Sequence, residues 1–158
     1  IEFYPELIKN ISALNPGVIL DLGCGINPLA LGKIAPRYEA YDIDELSLKI
    51  VFDYFKSNNI LGNVHEEDIT KCEKFPKADV VLLFKILDVI EKNKHKKAEN
   101  LILKLNSRSI IISFSTKTLS GAPMNHPQRG WIERLLKRLG YSFYTLKFKN
   151  EIFYFASK

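Results

Sequence analysis

Long apolar runs and cysteine are both scarce in this sequence of 158 residues. No stretch of about 18 apolar residues occurs, which excludes a membrane-spanning helix. The two cysteines, Cys24 and Cys72, form no Cys-x-x-Cys pair and have no nearby histidine. This spacing argues against a zinc site and against a disulfide framework, and it favours a reducing compartment. The absences together predict a cytoplasmic protein that binds neither a membrane nor a metal.

Internal repeats, low-complexity tracts and linkers rich in glycine or serine are absent as well. A chain of this length can bury one core, so we predict a single domain over residues 1–158. We also expect a monomer. The net charge of +5 and the pI of about 9.1 favour a polyanionic partner such as RNA. A composition rich in Lys, Ile, Asn, Phe and Tyr is, however, also what an AT-rich genome encodes.

Segments with helical and strand patterns alternate along the chain, which is typical of an α/β domain with a mostly parallel sheet. The predicted helices span 2–14, 28–34, 45–56, 94–105 and 128–139. The predicted strands span 18–22, 38–42, 63–66, 78–84, 109–114, 141–147 and 151–156. The last two strands are close enough to form an antiparallel hairpin. Seven strands that end in such a hairpin, with helices on both faces, predict the Rossmann-like fold of class I methyltransferases.

A glycine-containing loop follows the first predicted strand. Ligands of open parallel sheets bind beyond the carboxyl ends of the strands, and Gly23 and Gly25 allow the backbone to approach a ligand closely. A dinucleotide fingerprint requires a third glycine where Pro28 stands, so a pyrophosphate is disfavoured. S-adenosylmethionine has no phosphate, and the loop therefore predicts that cofactor. Asn27 is predicted to cap the helix that Pro28 begins.

Carboxylates follow the next two predicted strands. Asp42 lies 19 residues after Gly23, where a carboxylate can accept hydrogen bonds from both ribose hydroxyls. The alternative is that Asp42 caps the following helix. Asp44 is a weaker candidate for the same contact. Asp68, followed by Ile69, fits a carboxylate for the adenine amino group with an apolar contact for the ring.

Four segments, in the right order, resemble one family. Leu20–Leu31 continues the glycine loop with Asn-Pro-Leu-Ala, and Tyr38–Asp44 has the sequence Tyr-Glu-Ala-Tyr-Asp-Ile-Asp. Leu82–Leu87 is Leu-Leu-Phe-Lys-Ile-Leu, and Ser113–Gly121 is Ser-Phe-Ser-Thr-Lys-Thr-Leu-Ser-Gly. Together these segments resemble the aminoglycoside-resistance methyltransferases that modify guanine N7 in small-subunit ribosomal RNA. The resemblance covers nearly the whole chain and implies the small ribosomal subunit as a partner.

The sequence departs from that family in two places. Family members carry an additional N-terminal RNA-binding domain and a Ser-Thr-Arg segment, and residues 1–158 begin downstream of both. The sequence leaves open whether these were removed or never existed. The family's Gly-Gly-Arg-x-x-Gly-Met stretch is replaced by Ser120–His126, a loop expected to face the target base. The base and position that are modified therefore stay open.

The motifs and the resemblance together give a set of expected site residues. The cofactor is expected to contact Gly23, Cys24, Gly25, Asn27, Asp42, Ile43, Asp44, Asp68, Ile69, Phe84 and Lys85. Guanine N7 has a free lone pair at neutral pH, so no general base is required and no catalytic acid or base is assigned. We expect Lys85, Ser113 and Lys117 to position the substrate. The alternatives are that Lys85 extends from its strand end into solvent and that Lys117 is a solvated loop residue.

Other polar and aromatic residues have competing interpretations. The candidates for a phosphate-binding surface are Arg129, Arg134, Lys137, Arg138, Lys92, Lys94, Lys96 and Lys97, the alternative being a solvated face. A lone histidine in a loop, such as His126, is more often neither a catalytic residue nor a residue that stacks on a base. Trp131 is expected in the core. For the whole chain, two alternatives to an RNA methyltransferase remain. One is a methyltransferase for a small molecule or a protein, and the other is a non-catalytic cofactor-binding module.

Overall fold

The computed structural model describes residues 3–91 and 94–158. Its strands are β1 (Val18–Leu22), β2 (Arg37–Asp42), β3 (Gly62–Glu66), β4 (Ala78–Phe84), β5 (Ser107–Ser115), β6 (Ser142–Lys147) and β7 (Glu151–Ser157). Its helices are α1 (Tyr4–Ala13), α2 (Pro28–Leu31), α3 (Glu45–Ser57), α4 (Leu87–Ile90), α5 (Lys96–Leu103) and α6 (Gly130–Arg138). The predicted elements are confirmed in type and order, and the short helix α4 is an addition.

The seven strands form one sheet in the order β3-β2-β1-β4-β5-β7-β6. The pairs from β3 to β5 are parallel, whereas β7 runs antiparallel to both β5 and β6. After β3 the chain crosses to the other side of β1 and continues there as β4, so the strand order reverses between β1 and β4. A crevice forms at the carboxyl ends of strands at such a reversal. This is the mostly parallel sheet with a closing hairpin that the sequence predicts.

Helices cover both faces of the sheet and bury two apolar layers. One face packs under α1 and α3 through Leu7, Ile11, Val51 and Phe55. The other face packs under α5 and α6 through Leu101, Ile102, Ile132 and Leu136. Burying one such side chain contributes about 1.5–3 kcal/mol. Because β1 and β4 are covered on both faces, their sequences are nearly continuous apolar runs.

Helices α5 and α6 begin later than expected. Lys94 and His95 have φ of +51° and +59°, a left-handed backbone, so α5 begins only at Lys96. Arg129 has a non-helical backbone (φ −104°, ψ 84°), so α6 begins at Gly130 rather than at Gln128. Glu2 and Lys92, which the sequence assigns to a helix and to a basic run, lie outside the described residues.

Trp131 belongs to the core, as predicted. It is partly buried against the layer under α5 and α6. Its ring lies edge-on to Phe114 at 5.8 Å between centroids, and it stacks on His95 at 4.0 Å. The outer face of the indole is therefore already covered by an imidazole.

Asn27 does not cap α2, contrary to the prediction. Its backbone is already helical (φ −51°, ψ −37°), and its side chain makes no capping hydrogen bond. The Tyr4 hydroxyl instead donates to Asn27 Oδ1 over 3.4 Å. Asn27 thus links α1 to the glycine loop, residues 23–27, while Pro28 begins α2 as predicted.

Candidate functional site

The glycine loop turns back over the end of β2. The amides of Gly23 and Cys24 donate to the Tyr41 carbonyl over 2.8 and 2.9 Å. Gly23 has φ +74°, and a Cβ at this position would lie 2.7 Å from the Ile86 side chain. Gly25 has φ +48°, but nothing lies within 4 Å of the position that a Cβ would take. Gly23 is therefore packed, whereas Gly25 faces open space.

Asp42 ties the end of β2 to the glycine loop. Its Oδ2 accepts a hydrogen bond from the Gly25 amide over 2.7 Å. Its Oδ1 accepts from the amides of Ile43 and Asp44 over 2.7 and 2.9 Å. A carboxylate has about four acceptor sites, so the protein uses three and Oδ2 keeps one. Contacts to both ribose hydroxyls stay a prediction, and the remaining acceptor site on Oδ2 is enough for one of them.

Asp44, not Asp42, caps α3. Asp44 Oδ2 accepts from the Ser47 amide over 3.1 Å and from the Ser47 hydroxyl. Asp68 Oδ1 likewise accepts from the Thr70 amide and hydroxyl, over 3.0 and 2.6 Å. These hydrogen bonds, from Ser47 and Thr70 respectively, hold the pKa of each carboxyl below its usual value. Both groups therefore remain charged at neutral pH, and their contacts to a cofactor stay predictions.

Asp21 is a buried carboxyl near the end of β1, just before the glycine loop, and it is not among the expected cofactor contacts. Its Oδ2 accepts from the Tyr38 hydroxyl over 2.7 Å, and its Oδ1 has no hydrogen-bond partner among the described residues. Burial raises the pKa of Asp21 to about 7. The Tyr38 hydrogen bond opposes the rise and the negative charge of Asp42 adds to it. The signal in the sequence is a carboxyl within the apolar run Val18–Leu22, since acidic residues are rarely fully buried.

A cavity of about 320 Å³ lies between the start of α1 and the carboxyl ends of β4 and β5. Tyr4, Asn27, Phe84, Lys85 and Glu151 are among the residues that line it. Three predicted site residues, Asn27, Phe84 and Lys85, thus come together in one place. The volume is at the lower end of the range for sites that bind small molecules.

Lys85 and Glu151 supply charged groups to the lining of this cavity, and the buried Ser113 holds Glu151 in place. Lys85 Nζ lies 3.6 Å from Glu151 Oε2, and the Ser113 hydroxyl donates to Glu151 Oε1 over 2.5 Å. Lys85 has φ +55°, and its amide donates to the Ser113 carbonyl over 3.0 Å. A left-handed backbone costs a residue with a side chain about 1–2 kcal/mol. Strain of this kind clusters at functional sites. Glu151 was not predicted, because the start of a hairpin strand carries no motif.

Lys117 and Ile69, which the sequence also assigns to the site, lie elsewhere. Lys117 forms an isolated bridge with Pro123 in the loop after β5. Ile69 is buried and lines a different cavity, next to Thr70 and α5. The structure therefore joins Lys85 to Ser113 but does not place Lys117 with them.

Arg129 is not part of an exposed basic surface, contrary to the prediction. Its side chain is 14% exposed and pairs with Asp88 over 3.1 Å. Its guanidinium also donates to the carbonyls of Pro127 and Ser115 over 3.0 and 3.3 Å. Arg129 thus anchors the loop after β5. His126, in the same loop, lines a separate cavity beside α6.

Cys24 and Cys72 are both free cysteines, Cys24 buried and Cys72 partly buried. Burial raises the pKa of both free thiols, that of Cys72 to about 11, so neither Cys24 nor Cys72 is a thiolate at neutral pH. Within residues 3–91 and 94–158, no three His, Cys, Asp or Glu side chains are grouped closely enough to hold a metal ion. In the same ranges no helix has the length and apolarity needed to cross a bilayer.

Residues 1–155 match the sequence profile of a family described as Ribosomal RNA methyltransferase (FmrO). The chain belongs to the FmrO family. The 16S rRNA (guanine(1405)-N(7))-methyltransferase of Frankia casuarinae is 26% identical over 99% of the chain and 57% of its own length. The enzyme of that name from Micromonospora rosea is 30% identical over 75% of the chain and 44% of its own length. This FmrO family member thus spans about half of the curated relatives that it matches.

Solved structures share the fold of this FmrO family member. The 16S rRNA methyltransferase RmtF, crystallised with S-adenosyl-L-homocysteine, has a TM-score of 0.85 and 25% identity, covering 98% of the chain and 61% of RmtF. Magnesium protoporphyrin IX methyltransferase from Synechocystis has a TM-score of 0.73 at 17% identity, covering 99% and 82%. The chain therefore has the class I methyltransferase fold. Because that fold serves different substrates, it does not select one.

Proposed function

We propose that the chain is the catalytic unit of an S-adenosylmethionine-dependent methyltransferase that modifies a guanine N7 in small-subunit ribosomal RNA. The FmrO family match and the names of the relatives support this proposal. The observation that carries it is the hydrogen bond of Asp42 to Gly25, next to the cavity that holds Asn27 and Lys85. We also propose that the protein acts as a monomer on the small ribosomal subunit in the cytoplasm.

The residues around the glycine loop fit S-adenosylmethionine. The open space above Gly25 leaves room for a bound molecule, and Asp42 keeps one acceptor site for a ribose hydroxyl. Asp68 and Ile69, after β3, are proposed for the adenine end. Pro28 leaves the loop without the third glycine of a phosphate-binding turn. When bound, this cofactor supplies an electrophilic methyl group on a sulfonium sulfur.

The residues of the cavity position the acceptor base and do not transfer a proton. Guanine N7 carries a lone pair at neutral pH, so its attack on a methyl group needs no base. Lys85 lines the cavity, Ser113 holds Glu151 from behind it, and Tyr4 and Phe84 supply aromatic rings to its lining. Correct positioning alone can lower a barrier by several kcal/mol.

Methyl transfer to isolated ribosomal subunits tests the proposal. The protein is incubated with cofactor labelled in the methyl group and with small or large subunits, and the modified base is then mapped. We expect label in the small subunit, at one guanine, in a form that is sensitive to cleavage at N7-methylguanine. Label confined to the large subunit or to a protein would contradict the proposal. Cofactor binding without any transfer would favour the non-catalytic alternative.

A further inference from the structure

Glu151 presents a buried carboxylate to the cavity beside the glycine loop. Its side chain is 7% exposed, and it is one of the residues that line the cavity. The Ser113 hydroxyl occupies one acceptor site on Oε1, while the Lys85 ammonium lies 3.6 Å from Oε2 and balances the charge. A carboxylate has about four acceptor sites. Each oxygen of Glu151 therefore has acceptor capacity left, and the two oxygens lie side by side.

Two adjacent acceptors select a group with two adjacent donors. On its Watson–Crick edge guanine has such a pair, the N1–H and the N2 amine, and carbonyl O6 lies next to them. Adenine and cytosine each present one amine beside a ring nitrogen that accepts, and uracil presents one N–H between two carbonyls. A carboxylate flanked by an ammonium group is therefore complementary to guanine among the RNA bases.

We propose that Glu151 and Lys85 form a guanine-recognition pair, in which Glu151 accepts from N1–H and the N2 amine and Lys85 donates to O6. The inference rests on the proposed function and specifies which residues recognise the guanine and by which hydrogen bonds. Enzymes that modify a base read its Watson–Crick edge with hydrogen bonds and stack it against aromatic side chains. Tyr4 and Phe84 supply rings in the same cavity. A guanine held in this way turns N7 away from Glu151, because N7 lies on the Hoogsteen edge, on the side of O6 away from N1 and the N2 amine.

Nucleotide binding tests the pair independently of methyl transfer. The full chain is titrated by calorimetry with GMP, IMP and AMP in the presence of S-adenosylhomocysteine. IMP lacks only the N2 amine, so we expect it to bind about tenfold more weakly than GMP, and AMP more weakly still. Equal affinities for the three nucleotides would overturn the inference. Selective GMP binding without methylation of any ribosomal subunit would leave the inference standing and overturn the proposed function.

Glu151→Gln assigns the preference to this carboxylate. The amide keeps the shape of the side chain but directs N–H groups at the donors of guanine. We expect GMP affinity to fall at least tenfold and the preference for GMP over IMP to disappear. Glu99→Gln, which alters another carboxylate in an ion pair, should keep both. A preserved preference in folded Glu151→Gln would refute the assignment. If circular dichroism shows that this variant is unfolded, the comparison of the three nucleotides on the unaltered chain decides.

Discussion

At the scale of single residues, one carboxylate fixes the position of the glycine loop from outside it. Asp42 accepts hydrogen bonds from backbone amides on both sides of the crevice, those of Gly25, Ile43 and Asp44. A hydrogen bond to a charged group contributes about 1.5–3 kcal/mol. A ligand held by the loop therefore depends on a residue at the end of β2.

Asp42→Ala is expected to weaken S-adenosylmethionine binding about 10- to 100-fold, because it removes an acceptor and frees the Gly25 amide. Isothermal calorimetry measures the affinity. Asp79→Ala is the matched control, since it removes a carboxylate that accepts from the amides of Gly17 and Val18, at the end of β1 away from the glycine loop. We expect it to bind the cofactor within about threefold of the unaltered chain. Equal losses of affinity in the two variants would contradict this division of roles.

The buried carboxyl of Asp21 makes the stability of the protein depend on pH. Its pKa is about 7 in the folded protein, against a usual value of 3.8. Between those values the folded protein holds a proton that the unfolded chain has lost, so the free energy of unfolding falls as pH rises. Three pKa units correspond to roughly 4 kcal/mol as an upper bound. We expect Asp21→Asn to be more stable than the unaltered chain at pH 8, and to lose this advantage by pH 4, in urea denaturation.

The pKa of Glu39 is shifted in the opposite direction to that of Asp21, so Glu39 serves as the comparison. Burial acts to raise its pKa, but hydrogen bonds from His65, Arg37 and Asn63 outweigh burial and hold the pKa below its usual value. Its contribution is therefore present at neutral pH and lost on acidification. Glu39→Gln should be less stable than the unaltered chain at pH 7, with the difference narrowing toward pH 3. Parallel pH profiles for the two variants would rule out this assignment of signs.

At the scale of elements, the loops that follow β1 and β4 can touch because Gly23 has no side chain. Gly23 lies under Ile86, which precedes α4, so β1 and β4 end in loops that touch. Gly23→Ala combines a left-handed backbone with a close contact and is expected to cost about 2–4 kcal/mol in chemical denaturation. Gly140→Ala, at φ +83° with open space around it, should cost only about 1–2 kcal/mol. Equal costs would mean that the Ile86 contact contributes nothing.

The sequence predicts elements best where local pattern and tertiary environment agree. Strands β1 and β4 match their predicted bounds, because a strand buried on both faces is an apolar run between turn residues. The start of α5 was misplaced, since nothing in the sequence marks Lys94 and His95 as left-handed. Asp42 was found through its spacing from the glycine loop. Asp21 and Glu151 were missed because their environments come from strands distant in the chain.

At the scale of the whole molecule, net positive charge predicts a salt-dependent affinity for RNA. Lys117 and Lys149 lie on neighbouring loops, since the Thr116 hydroxyl donates to the Lys149 carbonyl over 3.1 Å. If both contact phosphates, replacing them with alanine should make the slope of log K against log salt shallower by about 1.4–1.8. Filter binding with small ribosomal subunits at several salt concentrations measures this slope.

Lys77→Ala is the control, because Lys77 is exposed and precedes β4 at the opposite end of the sheet. Lys77→Ala should change this slope by no more than about 0.3, which is less than the change expected from the loss of one phosphate contact. A loss of slope as large in Lys77→Ala as in the double variant would point to diffuse attraction with no oriented surface.

Strand β7 follows β6 along the chain but lies between β5 and β6 in the sheet, and Glu151 is its first residue. During synthesis β6 is therefore translated before β7, the strand with which it pairs, and β5 keeps an open edge until β7 inserts. Strand β7 both joins β6 to the rest of the sheet and delivers the carboxylate of the cavity. In a nascent chain stalled before Glu151, β5 and β6 would have no β7 with which to pair, and the Glu151 carboxylate would be absent. The cavity is therefore complete only after β7 has been translated and has inserted between β5 and β6.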